Sequence, residues 1–199
     1  MTFDDARRAV VTVGDGRGFI VENADARLIV TAAHCLPHFP PCASPSFVSE
    51  RTYVDLVGAL GSRPSTWAEC LFVDPISDLA VLGSPDNQAL VKEAAKYAAL
   101  ADACTALTIV NAPPDGSGWA LSLAGRWFQC RAQHYGAALW LDASEEIAGG
   151  MSGSPILNDR GAAIGVVCAA YASTGDAFTD SGPNPRLAHS LPGWMLRVV

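Results

Sequence analysis

Turn formers interrupt this chain so often that long regular elements have little room to form. In the first 85 residues the breaks fall at Gly14-Asp15-Gly16, at 23–25, across the proline- and serine-rich stretch 36–49, at 61–64 and at Asp74-Pro75. Glycine supplies positive φ, proline presets φ, and Asn and Asp bond back to their own backbone, so each break turns the chain by its own mechanism. Between the breaks lie short apolar runs at 9–13, 18–22, 27–31, 53–60, 67–73 and 79–82. Six short strands at this spacing predict a small closed barrel, the arrangement that leaves no open edge.

The rhythm resumes later, with runs expected to be strands at 105–111, 119–123, 127–134, 138–141, 155–157 and 162–169. Pro113-Pro114-Asp115-Gly116 and Asn158-Asp159-Arg160-Gly161 are strong turns between them. The stretch 86–100 differs: Ala, Leu, Lys, Glu and Tyr dominate it, Asp86 is a candidate cap, and Leu90, Ala94 and Tyr97 share a face, which predicts a partly helical connection. Residues 190–199 read as a short helix or tail packing Leu191, Trp194 and Leu196.

With 199 residues the chain can hold one large or two small domains, and with half of them hydrophobic and 17% charged it is globular, not disordered. The net charge of −7, with no Lys/Arg run, argues against a nucleic-acid partner, and the lack of any apolar run of about 18 residues argues against a membrane span. Residues 1–8 lack the charge, apolar stretch and cleavage site of a secretory leader, so the chain reads as cytoplasmic. The six cysteines, at 35, 42, 70, 104, 130 and 168, show no metal-type Cys-x-x-Cys spacing; no metal or cofactor is expected, and most of the thiols are expected to be reduced and buried.

Three separated stretches carry chemistry. Ile147-Ala148-Gly149-Gly150-Met151-Ser152-Gly153-Ser154-Pro155 packs small residues around one hydroxyl, Ser152. A serine nucleophile needs an exposed Oγ, a nearby base and N–H groups aimed at the developing oxyanion, and flanking glycines allow the sharp turn and close substrate approach. Thr31-Ala32-Ala33-His34-Cys35 follows the run Leu28-Ile29-Val30, which sets His34 just past a strand. Asp78-Leu79-Ala80-Val81-Leu82 puts a carboxylate directly before another strand, with Asp74 as a rival that Pro75 assigns to a turn. The chain order His, Asp, Ser is one of three unrelated orders in which such a triad occurs.

Together these three stretches resemble the trypsin/chymotrypsin-like serine peptidases, and most closely the short, loop-poor bacterial trypsin-like peptidase domains. The likeness spans nearly the whole chain. It implies an all-β fold of two six-stranded antiparallel β-barrels of the chymotrypsin-like type with a short C-terminal helix. The first barrel (1–85) would carry His34 and Asp78, a connection (86–104) would follow, and the second barrel (105–199) would carry Ser152 and the specificity pocket. It further implies Ser152 as nucleophile, His34 as base, Asp78 as the group that orients the imidazole, and the N–H groups of Gly150 and Ser152 as the oxyanion hole. Gly165-Val166-Val167-Cys168-Ala169-Ala170 resembles the strand that backs the pocket and pairs with the substrate main chain, so Cys168, Ala169 and Ala170 are candidate substrate-binding residues. Glu146, six residues before Ser152, either forms the pocket floor or is a solvated loop carboxylate beside Glu145.

The departures carry information too. Met151 stands where trypsins have the aspartate that pairs with a freed N-terminal amine, so the resemblance implies that cleavage-driven activation is absent. The site is then either preformed or ordered by a partner or neighbouring domain. Ser154 replaces a second glycine, with a hydroxyl expected to bond its local turn. Secreted relatives pair the cysteine after the histidine with one on an earlier strand; here 18–21 holds none, and a Cys35–Cys42 bridge is the one disulfide to check.

The function expected is that of a serine endopeptidase acting on peptide or protein substrates through an acyl-enzyme. The alternatives are a catalytically silent trypsin-fold binding module and an esterase using the same triad. Because the base must be neutral, activity is expected to rise with pH through the ordinary imidazole range, about 6.5 to 7. A chemical step that stays flat from about pH 5 to about pH 9 would remove His34 from the mechanism.

Overall fold

The computed structural model describes residues 2–23, 26–41, 48–111, 115–136, 138–168 and 181–195. Six strands close the first barrel: β1 (Val10–Val13), β2 (Gly16–Glu22), β3 (Arg27–Thr31), β4 (Thr52–Ala59), β5 (Thr66–Asp74) and β6 (Leu79–Gly83). They neighbour one another in the order β1-β2-β3-β6-β5-β4, every pair antiparallel. Each lies within a residue or two of an expected run, because glycine, proline and Asx turns bound it on both sides.

The second barrel uses β7 (Asp115–Leu121), β8 (Trp127–Tyr135), β9 (Ala138–Ala143), β10 (Pro155–Leu157), β11 (Ala163–Val166) and β12 (Ser181–Pro185). Its order is β11-β10-β7-β8-β9-β12, and a single bridge from Gly165 to Arg186 brings the two edge strands together, leaving the barrel nearly closed. The two six-stranded antiparallel barrels expected from the resemblance are thus present.

Burial explains why the apolar runs of the first barrel are continuous and not alternating. Ile20, Ile29, Ala80 and Leu82 point into the first barrel, whereas their neighbours Phe19, Val21, Leu28, Val30, Leu79 and Val81 join a second cluster on the opposite face. That second cluster includes Leu157, Ala163, Val166 and Leu187 from the other half of the chain, so it is the interface between the barrels. A strand buried on both faces loses the period-2 signal and reads as an unbroken apolar run. The second barrel has its own core, with Phe128, Leu139, Leu141, Met151, Ile156 and Ile164.

Among the described residues there are four α-helices: α1 (Phe3–Arg7), α2 (Val48–Arg51), α3 (Val91–Ala103) and α4 (Leu187–Ser190). In α1, Thr2 and Asp5 form a reciprocal capping box. Phe3 packs against Trp119 and Trp127 at ring distances of 5.0 and 5.8 Å, and its carbonyl accepts a hydrogen bond from the Trp127 indole. The chain start therefore grips the second barrel before β1 enters the first.

Four placements differ from those expected. Residues 105–111 form no strand; Leu107 makes one bridge to Val21 and Ile109 one to Ala163, so this segment runs between the barrels with a hand on each. The sixth strand is β12, whose sequence Ser-Gly-Pro-Asn-Pro carries no apolar signal. Helix α3 starts at Val91, not at Asp86, because the Asp86 carboxylate accepts from Gln88 N–H and closes a turn of its own. The C-terminal helix falls at Leu187–Ser190, before the expected stretch; Leu191 is buried, Trp194 is exposed, and Leu196 lies outside the described residues.

Five of the six cysteines are described, and all five are free, so Cys35 makes no bridge; Cys42 lies outside the described residues. Burial pushes the Cys35 and Cys70 thiols up to about 11 and Cys130 up to about 12, which keeps them protonated at neutral pH. Among the described residues no helix is long and apolar enough to cross a membrane, and no His/Cys/Asp/Glu group is placed to hold a metal ion.

Helix α3 docks on the first barrel through Ala94, Tyr97 and Ala101. The buried Tyr97 hydroxyl donates to the carbonyl of Arg27 at 3.1 Å, while Arg27 Nη1 donates to the Ala101 and Cys104 carbonyls, both at 2.8 Å, and satisfies the helix end. Tyr97→Phe is expected to lower stability by about 1 kcal/mol in urea denaturation without altering the distant cleft.

Candidate active site

His34 sits in a single 3-10 turn, Ala33–Cys35, that opens as soon as β3 ends. Its backbone N–H donates to Asp78 Oδ1 at 2.9 Å, and its Nδ1 lies 2.7 Å from Asp78 Oδ2. One carboxylate thus holds both the backbone and the ring of the same residue. A carboxylate only accepts, so the proton of a neutral imidazole belongs on Nδ1, and Nε2 is left as the basic nitrogen.

Asp78 reaches this position at a conformational cost. Its φ is +51°, a left-handed conformation that few residues other than glycine adopt and that aspartate tolerates better than most. Its carbonyl is held on two sides, accepting from Ala33 N–H at 3.1 Å and from the Cys168 thiol at 3.5 Å. The rival carboxylate, Asp74, is occupied elsewhere: its Oδ1 accepts from Ile76 and Ser77 N–H at 2.9 and 3.2 Å. Hydrogen bonds from Ser77, side chain before backbone, hold its carboxyl below the ordinary aspartate value. Asp74 builds the turn, and Asp78 is the carboxylate brought to the imidazole.

Ser152 follows a tight turn, in which Met151 N–H donates to the Ala148 carbonyl at 3.2 Å and Gly150 takes φ +89°. A turn of this kind needs positive φ at its third residue, which only glycine supplies without strain. Met151 is 1% exposed in the second barrel's core, and its Sδ accepts from Ala148 N–H at 3.3 Å. The turn is therefore closed from both sides by residues within it, with no ion pair. Among the described residues neither the Gly150 nor the Ser152 N–H has an acceptor.

The loop that carries Ser152 is pinned to both barrels. Gly153 N–H donates to Val167 O at 2.7 Å, and Val167 N–H donates to Ser154 O at 2.9 Å. From the other side, Arg17 N–H donates to Ser152 O at 2.7 Å. Gly153 has φ +83°, and a Cβ there would overlap the Arg17 carbonyl oxygen.

His34 and Ser152 share one cleft of about 520 Å³, bounded by the β1–β2 hairpin at Gly14–Gly16, by Cys35–Pro37 and by Gly149–Gly150. Within it the Ser152 hydroxyl donates to the Cys168 carbonyl at 3.1 Å. Among the described residues His34 Nε2 has no hydrogen-bond partner.

The expected substrate-binding residues fall differently. Glu146 is exposed on the loop leading to Ser152. Cys168 is 4% exposed, and its main chain is engaged internally, the N–H donating to Asn184 Oδ1 at 3.0 Å and the carbonyl accepting from Ser152. β11 ends at Val166 because the next backbone groups bond to the nucleophile loop. Ala169 and Ala170 lie outside the described residues. The sequence reading passed over Arg17 and Asn184. The Gly-Arg-Gly tripeptide that opens β2 was the available signal for the first, whereas Asn184 sits in a segment with no pattern at all.

Comparison with known proteins gives the family and the fold. Residues 16–166 match the family described as "Trypsin-like peptidase domain". No curated protein matches the chain. Similar solved structures include a human pathogenic astrovirus serine protease, at 17% identity and TM-score 0.57, covering 94% of each chain. An inactive-form mutant of Rv3671c from M. tuberculosis H37Rv aligns at 17% identity and TM-score 0.56, over 96% of this chain and 86% of that one. The MamO protease domain of Magnetospirillum magneticum aligns at 17% identity and TM-score 0.54, over 92% and 95%. At such identities the likeness establishes the fold.

Gly153→Ala is expected to cost at least about 2 kcal/mol, through the overlap and the left-handed φ together. A Cβ on Gly149 meets nothing within 4 Å, so Gly149→Ala should stay within about 0.5 kcal/mol of the parent. Equal denaturation midpoints for the two variants would contradict the docking described.

Proposed function

The chain belongs to the trypsin-like peptidase domain family, and from that premise we propose that it is a serine endopeptidase that cleaves peptide bonds through an acyl-enzyme. The observation that carries this reading is the two-point grip of Asp78 on His34, in the same cleft as a serine preceded by a glycine at φ +89° and flanked by N–H groups without acceptors.

The steps follow from those groups. The first step requires the Ser152 hydroxyl to leave the Cys168 carbonyl for His34 Nε2, and giving up one neutral hydrogen bond costs about 1 kcal/mol. Ser152 Oγ then bonds to the substrate carbonyl carbon while its proton passes to Nε2. The carbonyl electron pair moves onto oxygen, where the N–H groups of Gly150 and Ser152 meet it. Asp78 holds the imidazole orientation and stabilises the imidazolium. As the C–N bond breaks, Nε2 returns the proton to the leaving amine. Water repeats the sequence on the ester, with His34 again as base, and restores Ser152.

Met151 supports a site that is already formed. Its side chain fills the core and bonds the turn, so no newly created amino terminus is needed to order the oxyanion-binding groups.

The direction of the Ser152 hydroxyl in the free chain favours a second reading, a silent peptide-binding module. The two separate with a fluorophosphonate probe. The parent is expected to label at neutral pH and to cleave a peptide library, and Ser152→Ala is expected not to label. Turnover in Ser152→Ala or His34→Ala should fall on the order of 10⁶-fold, whereas removing one oxyanion donor typically costs about 10²–10³. A folded parent that takes no label sinks the peptidase reading, and label without peptide cleavage points to an esterase.

A further inference from the structure

Arg17 carries a charge where charges are seldom found. It lies at the start of β2 between Gly16 and Gly18, is 6% exposed, and among the described residues has no carboxylate partner. Burial, and then the like charge of Arg7, lower its pKa from the ordinary guanidinium value, although an arginine remains charged throughout the working range.

Its donors go to main-chain carbonyls. Nη1 donates to Leu121 O at 2.7 Å, and Nη2 donates to Ser122 O at 3.1 Å. Nη1 also reaches Ser154 Oγ at 3.5 Å, so the Ser154 hydroxyl faces the other barrel and not its own turn. All three partners belong to the second half of the chain: Leu121 ends β7 and Ser122 is the residue just after it. The next residue, Leu123, packs over the oxyanion turn: a Cβ on Gly150 would lie 3.5 Å from its Cδ2. The Arg17 main chain meanwhile donates to Ser152 O at 2.7 Å and accepts from Thr31 Oγ1, three residues before His34, at 2.6 Å.

One residue of the first barrel therefore touches the loop that carries Ser152, the two residues that lead into the Leu123 cover of the Gly150 turn, and the strand that precedes His34. A rigid planar fork suits this role because it engages two carbonyls at once in fixed geometry, which an ammonium cannot do. We propose that Arg17 is a positioning residue for acyl transfer, whose guanidinium fork fixes the oxyanion-binding turn and Ser152 against the barrel that carries His34 and Asp78. This role rests on the peptidase reading above.

The test uses the full chain and compares Arg17→Lys, Arg17→Met and Ser154→Ala with the parent, following kcat and KM on a cleaved peptide, the rate of fluorophosphonate labelling, and Tm. A displacement of about 1 Å in a reacting constellation costs about 10²-fold, so Arg17→Met is expected to lose roughly 10–100-fold in kcat and in labelling rate with KM changed less than about twofold. Arg17→Lys, which keeps charge and stem but loses the fork, is expected to recover only part of that loss, and Ser154→Ala to lose a few-fold. A role in stability alone would lower Tm and leave kcat of the folded fraction at the parent value, and that result overturns the proposal. If Arg17→Met does not fold, Arg17→Lys decides: parent-like kcat overturns the role, and a selective loss of kcat supports it. A parent that neither labels nor cleaves overturns the peptidase reading itself, whereas an active parent with unaffected Arg17 variants overturns only this inference.

Discussion

The contact on which the rest depends is the main-chain clasp between the start of β2 and the nucleophile loop. The Arg17 N–H meets the Ser152 carbonyl at 2.7 Å, and Gly153 lies so close to the same strand that no side chain fits. A serine from one barrel and a histidine from the other can act together only if the barrels are fixed to a fraction of an ångström. Side-chain packing alone tolerates small slides, whereas a short hydrogen bond against a glycine that cannot retreat does not. Thr31 extends the clasp to the end of the strand that precedes His34, so His34 and Ser152 are referred to one piece of backbone.

Around that clasp, the two barrels share an apolar interface. The strands β2, β3 and β6 each present one face to their own barrel and the other to the second half of the chain. His34 and Asp78 stand at the ends of β3 and β6, which pair directly, so the carboxylate–imidazole contact is set by register within a single sheet. Only the serine has to be brought across, and the shared apolar cluster, the bridging segment at Leu107 and Ile109, and helix α1 all hold that distance. The left-handed backbone at Asp78 is tolerated within this frame because its carbonyl is bonded by both Ala33 and Cys168.

The turn before Ser152 is stabilised differently. A buried thioether closes it, combining core packing with a weak acceptor for Ala148 N–H. A carboxylate at that depth would require a cation beside it, whereas methionine requires only space in the core. A buried cation close by, Arg17, is satisfied instead by the carbonyl oxygens of Leu121 and Ser122, at and just after the end of β7.

The residues alone determined the strand rhythm of the first barrel and the glycine-rich turn, and they singled out His34, Asp78 and Ser152 as candidates, because these follow from local rules: apolar runs, turn formers and short motifs. The same rules misread 105–111, where an apolar segment is extended but divided between two sheets, and they gave no sign of β12, a strand made of Ser, Gly, Pro and Asn that exists because β9 offers it an edge. Tertiary structure alone decided that Asp78 holds both the backbone and the ring of His34, that Ser154 faces Arg17, and that Cys168 uses both its backbone groups internally. Each of these depends on which groups far apart in the chain become neighbours, and that is set by how two barrels pack, a property no single stretch of sequence contains.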